Sequence, residues 1–218
     1  MRLLELFCGT KSVGKVFQEK GWEVDSLDIN PKFNPTICED ILEWDYETIP
    51  VNRYDAIWCS PDCSTFSIAT SGKYRSVAEP YGKENEYQRQ AVIGNRCVDK
   101  CIDIINYFNP ASWFIENPKG LMIHYPPLKE FIFINEHHNT QVYYGNYGWD
   151  YPKPTHIWSN KKLWKETSPV MAEDTYKYWT DKSGRKKRYY FSYGNKKAKG
   201  RSTIPSTLIE RLYTLTES

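Results

Sequence analysis

Leu3-Leu4-Glu5-Leu6-Phe7-Cys8-Gly9-Thr10-Lys11-Ser12 begins as a short apolar run and breaks on a glycine turn. A helical pattern follows at Val13, Val16 and Phe17 and stops at Gly21, giving strand, turn, helix. Glu23 to Ile29 alternates enough for a second strand, ending at Asp28. Thr36 to Cys38 reads as a third strand before Asp40-Ile41-Leu42, and Ala56 to Cys59 as a fourth. Residues 88–108 read as a helix, because Val92, Ile93, Val98, Cys101, Ile102, Ile105 and Phe108 recur at three-to-four spacing before Asn109-Pro110. Trp113-Phe114-Ile115 is a fifth strand, ending at Glu116-Asn117-Pro118. Strands alternating with helices predict an α/β fold with a mostly parallel sheet. Gly9, Asp28, Asp40, Cys63 and Glu116 each follow a strand, so they should converge on the sheet edge where open α/β folds bind ligands.

A length of 218 residues suits one domain with a small appendage. Hydrophobic residues make up 40% and charged residues 26%, a soluble composition, and no apolar run reaches the length of a membrane span. The opening Met1-Arg2-Leu3-Leu4-Glu5 turns acidic too soon for a secretory signal. The net charge of +2 hides a split. Lys161 to Arg201 holds 13 Lys and Arg against 4 Asp and Glu, a balance of +9, while the other 177 residues stand at −7. Six cysteines in a chain with no secretory signal do not suggest disulfides, and Cys59/Cys63 and Cys97/Cys101 lack the turn residues of a zinc knuckle. No metal is expected. The four histidines show no HxxxH pattern and read as surface or loop residues.

Gly9 and Gly14, between the first strand and helix, suit a ligand that approaches the backbone closely, although the pattern is not GxGxxG and tight packing alone also explains it. Asp28 lies 19 residues past Gly9, where an acid can accept ribose hydroxyls. Asp40 suits either an exocyclic adenine amine or a helix N-cap for Ile41-Leu42-Glu43-Trp44. Together they suggest an adenosine-containing cofactor. Cys63 sits in the polar loop Ser60-Pro61-Asp62-Cys63-Ser64-Thr65-Phe66-Ser67, a better place for a nucleophile than the helical Cys97 and Cys101, which read as core. A thiolate beside the Glu116 carboxyl can carry covalent catalysis with proton transfer.

Leu6-Phe7-Cys8-Gly9, the Cys63 loop and Phe114-Ile115-Glu116-Asn117 resemble the DNA cytosine-5 methyltransferases in order and roughly in spacing. The resemblance covers about residues 1–160, and Arg201-Ser202-Thr203-Ile204-Pro205-Ser206-Thr207-Leu208 looks like the family's final motif. The compact form resembles orphan methyltransferases of phages. The resemblance implies a Rossmann-like methyltransferase fold with a small basic β-rich appendage. It implies a catalytic and cofactor domain at 1–160, a reduced recognition segment at 161–200, and a C-terminal helix at 201–218 returning to close the cofactor site. S-adenosylmethionine would be the cofactor, held by Phe7, Gly9, Asp28, Asp40, Pro61 and Ser202. Cys63 would add to C6 of a flipped-out cytosine, with Glu116 and Asn117 as the partner pair and Lys153 at the 2-oxo group. Three departures stand out. Asp62 replaces the usual Pro before the nucleophile, and like charge there would raise the thiol pKa. Lys153 and Thr155 stand where the family has paired arginines. Only 161–200 is available where a large recognition domain usually sits.

The loop from Ser60 to Asn85 would close over the base, with Ser67, Lys73, Arg75 and Lys83 near nucleic acid, and Thr155 joins the same contacts. In the basic segment, Arg185-Lys186-Lys187-Arg188 directly precedes Tyr189-Tyr190-Phe191. Tyr176 to Thr180 and Arg188 to Tyr193 suit a hairpin across Asp181-Lys182-Ser183-Gly184, presenting cations to phosphates. So short a module predicts a short target sequence. DNA is the expected partner, and the enzyme is expected as a cytoplasmic monomer of a bacterial or phage-infected cell, with no membrane association. Cytosine modification in RNA or a free nucleotide, and a catalytically silent DNA-binding relative, remain alternatives.

Overall fold

The computed structural model describes residues 1–68, 71–74, 86–149, 151–169, 176–181, 183–190 and 203–217, with backbone only at 176–179 and 187–190. Six strands form the main sheet: β1 (Arg2–Leu6), β2 (Glu23–Leu27), β3 (Ala56–Cys59), β4 (Ser112–Pro118), β5 (His138–Tyr143) and β6 (Pro154–Ser159), in the order β2-β1-β3-β4-β6-β5. β1 pairs in parallel with β2 and β3, and β3 with β4, while β6 runs antiparallel to both neighbours. The strand expected at Thr36 to Cys38 is reduced to a single bridge, Leu27 to Ile37.

Both faces of this sheet are covered, which is why its strands read as apolar runs rather than as alternation. Leu4, Leu6, Ile57, Cys59 and Ile115 face one core, with Val98, Cys101, Ile104 and Phe108 of α3 (Glu86–Phe108). Leu128 and Phe131 of α4 (Pro126–Ile134) join the same core. Leu3, Ala56, Trp58, Phe114 and Ile157 face the other, against α1 (Ser12–Glu19) and α5 (Ser206–Tyr213). Each fully buried Leu, Ile or Phe contributes about 1.5–3 kcal/mol. Cys101 is buried and the half-buried Cys97 packs against the first core. α5 locks onto α1 through Phe17, Trp22 and Tyr213, whose rings meet edge to face, and Trp22 Nε1 donates to the Tyr213 hydroxyl at 3.3 Å. Ile204 N–H donates to Ser12 Oγ at 3.2 Å just before that helix.

A four-residue helix, α2 (Ser71–Tyr74), packs beside the start of α3. β7 (Tyr176–Thr180) and β8 (Lys186–Tyr190) form a separate two-stranded antiparallel sheet. Its second strand starts two residues before the expected Arg188, because Asp181 closes a tighter turn. The Asp181 carboxylate accepts the Ser183 and Arg185 amides, and Gly184 takes a left-handed conformation. His156 is a correction: it lies buried in β6, where burial takes its pKa down to about 4 and keeps the ring neutral. Among the described residues no helix is long and apolar enough to cross a membrane.

Candidate active site

The ends of β1, β3 and β4 and the residues just before β6 enclose a cleft of about 450 Å³. Its walls include Phe7, Gly9, Thr10, Pro61, Cys63, Ser67, Glu116 and Lys153. Phe7 and Glu116, 109 positions apart in sequence, are brought together because parallel strands share one carboxyl edge.

The β1 turn has three left-handed residues in five: Phe7, Gly9 and Lys11, with φ of 57°, 47° and 55°. Only glycine takes that conformation without cost. Asp28 holds the turn by accepting the Gly9 amide on Oδ2 at 3.0 Å, and its Oδ1 accepts the Asn30 amide at 2.9 Å. Thr10 Oγ1 is buried at the cleft edge without a hydrogen-bond partner among the described residues. An unmet hydroxyl beside a strained turn fits a ligand that supplies the missing bond. Neither Asp28 nor Asp40 is among the residues lining the cleft. Asp40 caps its own turn, accepting the Leu42 amide on Oδ1 at 3.0 Å.

Glu5 was not anticipated from the sequence, although an acid inside the Leu3–Phe7 run was the available signal. It is 2% exposed and lines the cleft floor. α1 has no side-chain cap of its own, so Glu5 serves instead, accepting the Val13 and Gly14 amides at 3.3 and 3.1 Å. Burial pushes its carboxyl from 4.5 up to about 7 against the pull of those amides.

The Cys63 loop is tied at both ends. Asn117, 1% exposed, donates Nδ2 to the Pro61 carbonyl at 2.9 Å. Phe66 is buried, and its carbonyl accepts the Leu121 amide at 2.7 Å. Between them Asp62 caps the turn through Ser64, accepting its amide at 3.2 Å and its hydroxyl. Asp62 therefore gives this loop rigidity that proline would otherwise supply. Cys63 is left exposed on the cleft. Crowding by the cleft walls pushes its thiol pKa up, with Asp62 and Glu116 adding to the shift and Lys153 opposing it.

Glu116, 5% exposed, receives a hydrogen bond on Oε1 from the Tyr144 hydroxyl at 2.8 Å. Lys153 has φ of 30°, and its ammonium lies over the Tyr144 and Trp149 rings at 4.5 and 5.5 Å. Burial lowers the Lys153 pKa, while Glu116 and Cys63 hold it up.

The expected nucleic-acid contacts divide. Ser67 borders the cleft, and Arg185 and Lys186 are exposed at the hairpin. The Lys73 ammonium sits over the Tyr87 ring at 3.9 Å. Thr155 is corrected by its burial: it is 0% exposed, and its hydroxyl donates inward to the Lys153 carbonyl at 3.1 Å, so it presents nothing to a phosphate. The side chains of Lys187 and Arg188, and Arg75, Lys83 and Ser202 altogether, lie outside the described residues. Among the described residues no group of His, Cys, Asp and Glu could hold a metal ion.

No family model matches the chain. A frog virus 3 (isolate Goorha) protein named "Probable DNA (cytosine-5)-methyltransferase" is 31% identical over 166 residues, covering 73% of this chain and 71% of the viral one. Among solved structures, the Entamoeba histolytica methyltransferase EhMeth superposes with a TM-score of 0.53 at 12% identity, over 81% of this chain. The S. pombe Dnmt2 methyltransferase superposes with a TM-score of 0.52 at 14% identity, over 76% of this chain. The chain spans 58% and 53% of the lengths of those two proteins. These likenesses place the sheet and its helices in the Rossmann-like methyltransferase fold.

Proposed function

The chain belongs to the DNA cytosine-5 methyltransferase family, and from that premise we propose that it transfers a methyl group from S-adenosylmethionine to C5 of a cytosine in double-stranded DNA. The observation carrying this is the single cleft that joins the Gly9 turn to Cys63, Glu116 and Lys153. When bound, the cofactor supplies an electrophilic methyl group on a sulfonium. The Gly9 turn, Phe7, Thr10 and Pro61 would hold it at the β1 edge, with Asp28 bracing the Gly9 turn and Asp40 its own turn.

A cytosine inside the duplex cannot reach this cleft, so the base is flipped out to enter it. The Cys63 thiolate adds to C6, and electron density moves towards N3. Glu116 meets that charge by giving a proton to N3. The ring is then nucleophilic at C5, which takes the methyl group. Loss of the C5 proton to a solvent base expels Cys63 and restores the aromatic ring, while N3 returns its proton to Glu116. Lys153 lines the same cleft, favours the thiolate and would meet the base, and Asn117 keeps the loop in place through Pro61.

The region after residue 160 would act as a reduced recognition segment and the C-terminal helix as the closing element, which favours a short target sequence. Purified protein incubated with a mixed-sequence duplex, read by bisulfite conversion, tests the reading. Cytosine C5 methylation in duplex DNA is expected. Methylation confined to RNA, or none with cofactor present, would contradict it.

A further inference from the structure

Tyr144 is 0% exposed and occupies the short turn between β5 and the residues leading to β6. Its ring is fixed by Trp149, edge to face at 5.2 Å, and by the Lys153 ammonium above it. Its hydroxyl donates to Glu116 Oε1 at 2.8 Å, and the Thr155 side chain lies beside it. Lys153 and Thr155 lie two residues apart at the entry to β6. Both lie close to Tyr144, and the Tyr144 hydroxyl is hydrogen-bonded to Glu116. A fully buried phenol is a costly fixture unless its hydroxyl is used.

We infer that Tyr144 is a positioning residue for the proposed transfer, orienting the Glu116 carboxyl so that its proton is exchanged from Oε2. The inference rests on the methyltransferase reading. Because the phenol occupies Oε1 as a donor, a proton carried by Glu116 belongs on the other oxygen. Oε2 has no hydrogen bond among the described residues, and Glu116 lines the cleft. As the Cys63 S–C6 bond forms, the Oε2–H bond breaks and the proton moves to N3. It returns to Oε2 when the S–C6 bond breaks. Burial and the Glu116 charge raise the Tyr144 pKa, so the phenol keeps its own proton through both steps.

Tyr144→Phe removes one hydroxyl and leaves the ring beneath Lys153. The expected result is a kcat lower by about 10- to 100-fold, with KM for duplex and for cofactor within about threefold. Wild-type methylation together with a Tyr144→Phe kcat within about twofold of it would overturn this inference alone. Absence of methyl transfer by the wild type would overturn the methyltransferase reading and this inference with it. Should Tyr144→Phe fail to fold, 3-fluorotyrosine at position 144 keeps the shape and makes the phenol a stronger donor. A kcat changed by about threefold or more at constant KM supports the assignment, and an unchanged kcat contradicts it.

Discussion

Cys63 sits among opposed charges, and its reactivity follows from their sum. The cleft walls, Asp62 and Glu116 disfavour the thiolate, and Lys153 favours it. The thiol is therefore mostly protonated at neutral pH, and adduct formation should speed up as pH rises. Asp62→Asn removes a negative charge while keeping an oxygen for the Ser64 amide, so the thiol pKa falls. The rising limb of the pH–rate profile should move to lower pH by roughly half to one unit. Lys153→Met removes the cation, so its limb should move to higher pH. Profiles that coincide with wild type in both variants would remove these charges from the account. Cys63 was legible because a polar loop follows the apolar run that forms β3, and Glu116 because an acid follows the apolar Trp113-Phe114-Ile115, although it lies within β4 rather than after it. Tyr144 was not legible. It sits in Tyr143-Tyr144-Gly145-Asn146-Tyr147, where nothing local separates one tyrosine from its neighbours, and only the pairing of β5 with β6 brings it to Glu116.

The same contrast holds for elements. The four parallel strands could be read because burial on both faces leaves apolar runs such as Ala56-Ile57-Trp58-Cys59. β5 and β6 escaped, since His138-Asn139-Thr140-Gln141-Val142-Tyr143 is mostly polar and Pro154-Thr155-His156-Ile157-Trp158-Ser159 opens on proline and carries a histidine. Their stability comes from pairing with each other and with β4, which no local propensity records. Strand-to-helix connections also fix the nucleophile loop. Gly120 presses against the Phe66 backbone so closely that an added Cβ would collide with the Phe66 carbonyl oxygen and come within 3.1 Å of its carbon. No side-chain rotation relieves a clash with backbone. Gly120→Ala should cost about 1–3 kcal/mol of stability and loosen the Leu121 to Phe66 hydrogen bond. Denaturant unfolding should register the loss, and adduct formation should slow more than cofactor binding weakens. Unchanged stability would show that the loop is not braced from this side.

On the scale of the whole molecule, the charge split assigns different tasks to different parts. The body, at −7 over 177 residues, holds a cleft built from backbone turns and a few buried polar groups, which in this account would enclose the reactants. The +9 segment carries the hairpin, whose Arg185 and Lys186 face solvent. If that hairpin meets phosphates, Arg185→Ala with Lys186→Ala should lower duplex affinity across all sequences and reduce the salt slope by about 2. Equal slopes for variant and wild type would place the DNA elsewhere. The account as a whole stands on Cys63 becoming covalently joined to cytosine C6 within this cleft. A duplex carrying 5-fluorocytosine at the target base blocks release of the thiol, because fluorine cannot leave as the C5 proton does. Denaturing electrophoresis should show a cofactor-dependent, shifted protein–DNA band with wild type and none with Cys63→Ala. A band that persists in Cys63→Ala, or is missing from a wild type that methylates ordinary duplex, would contradict the account.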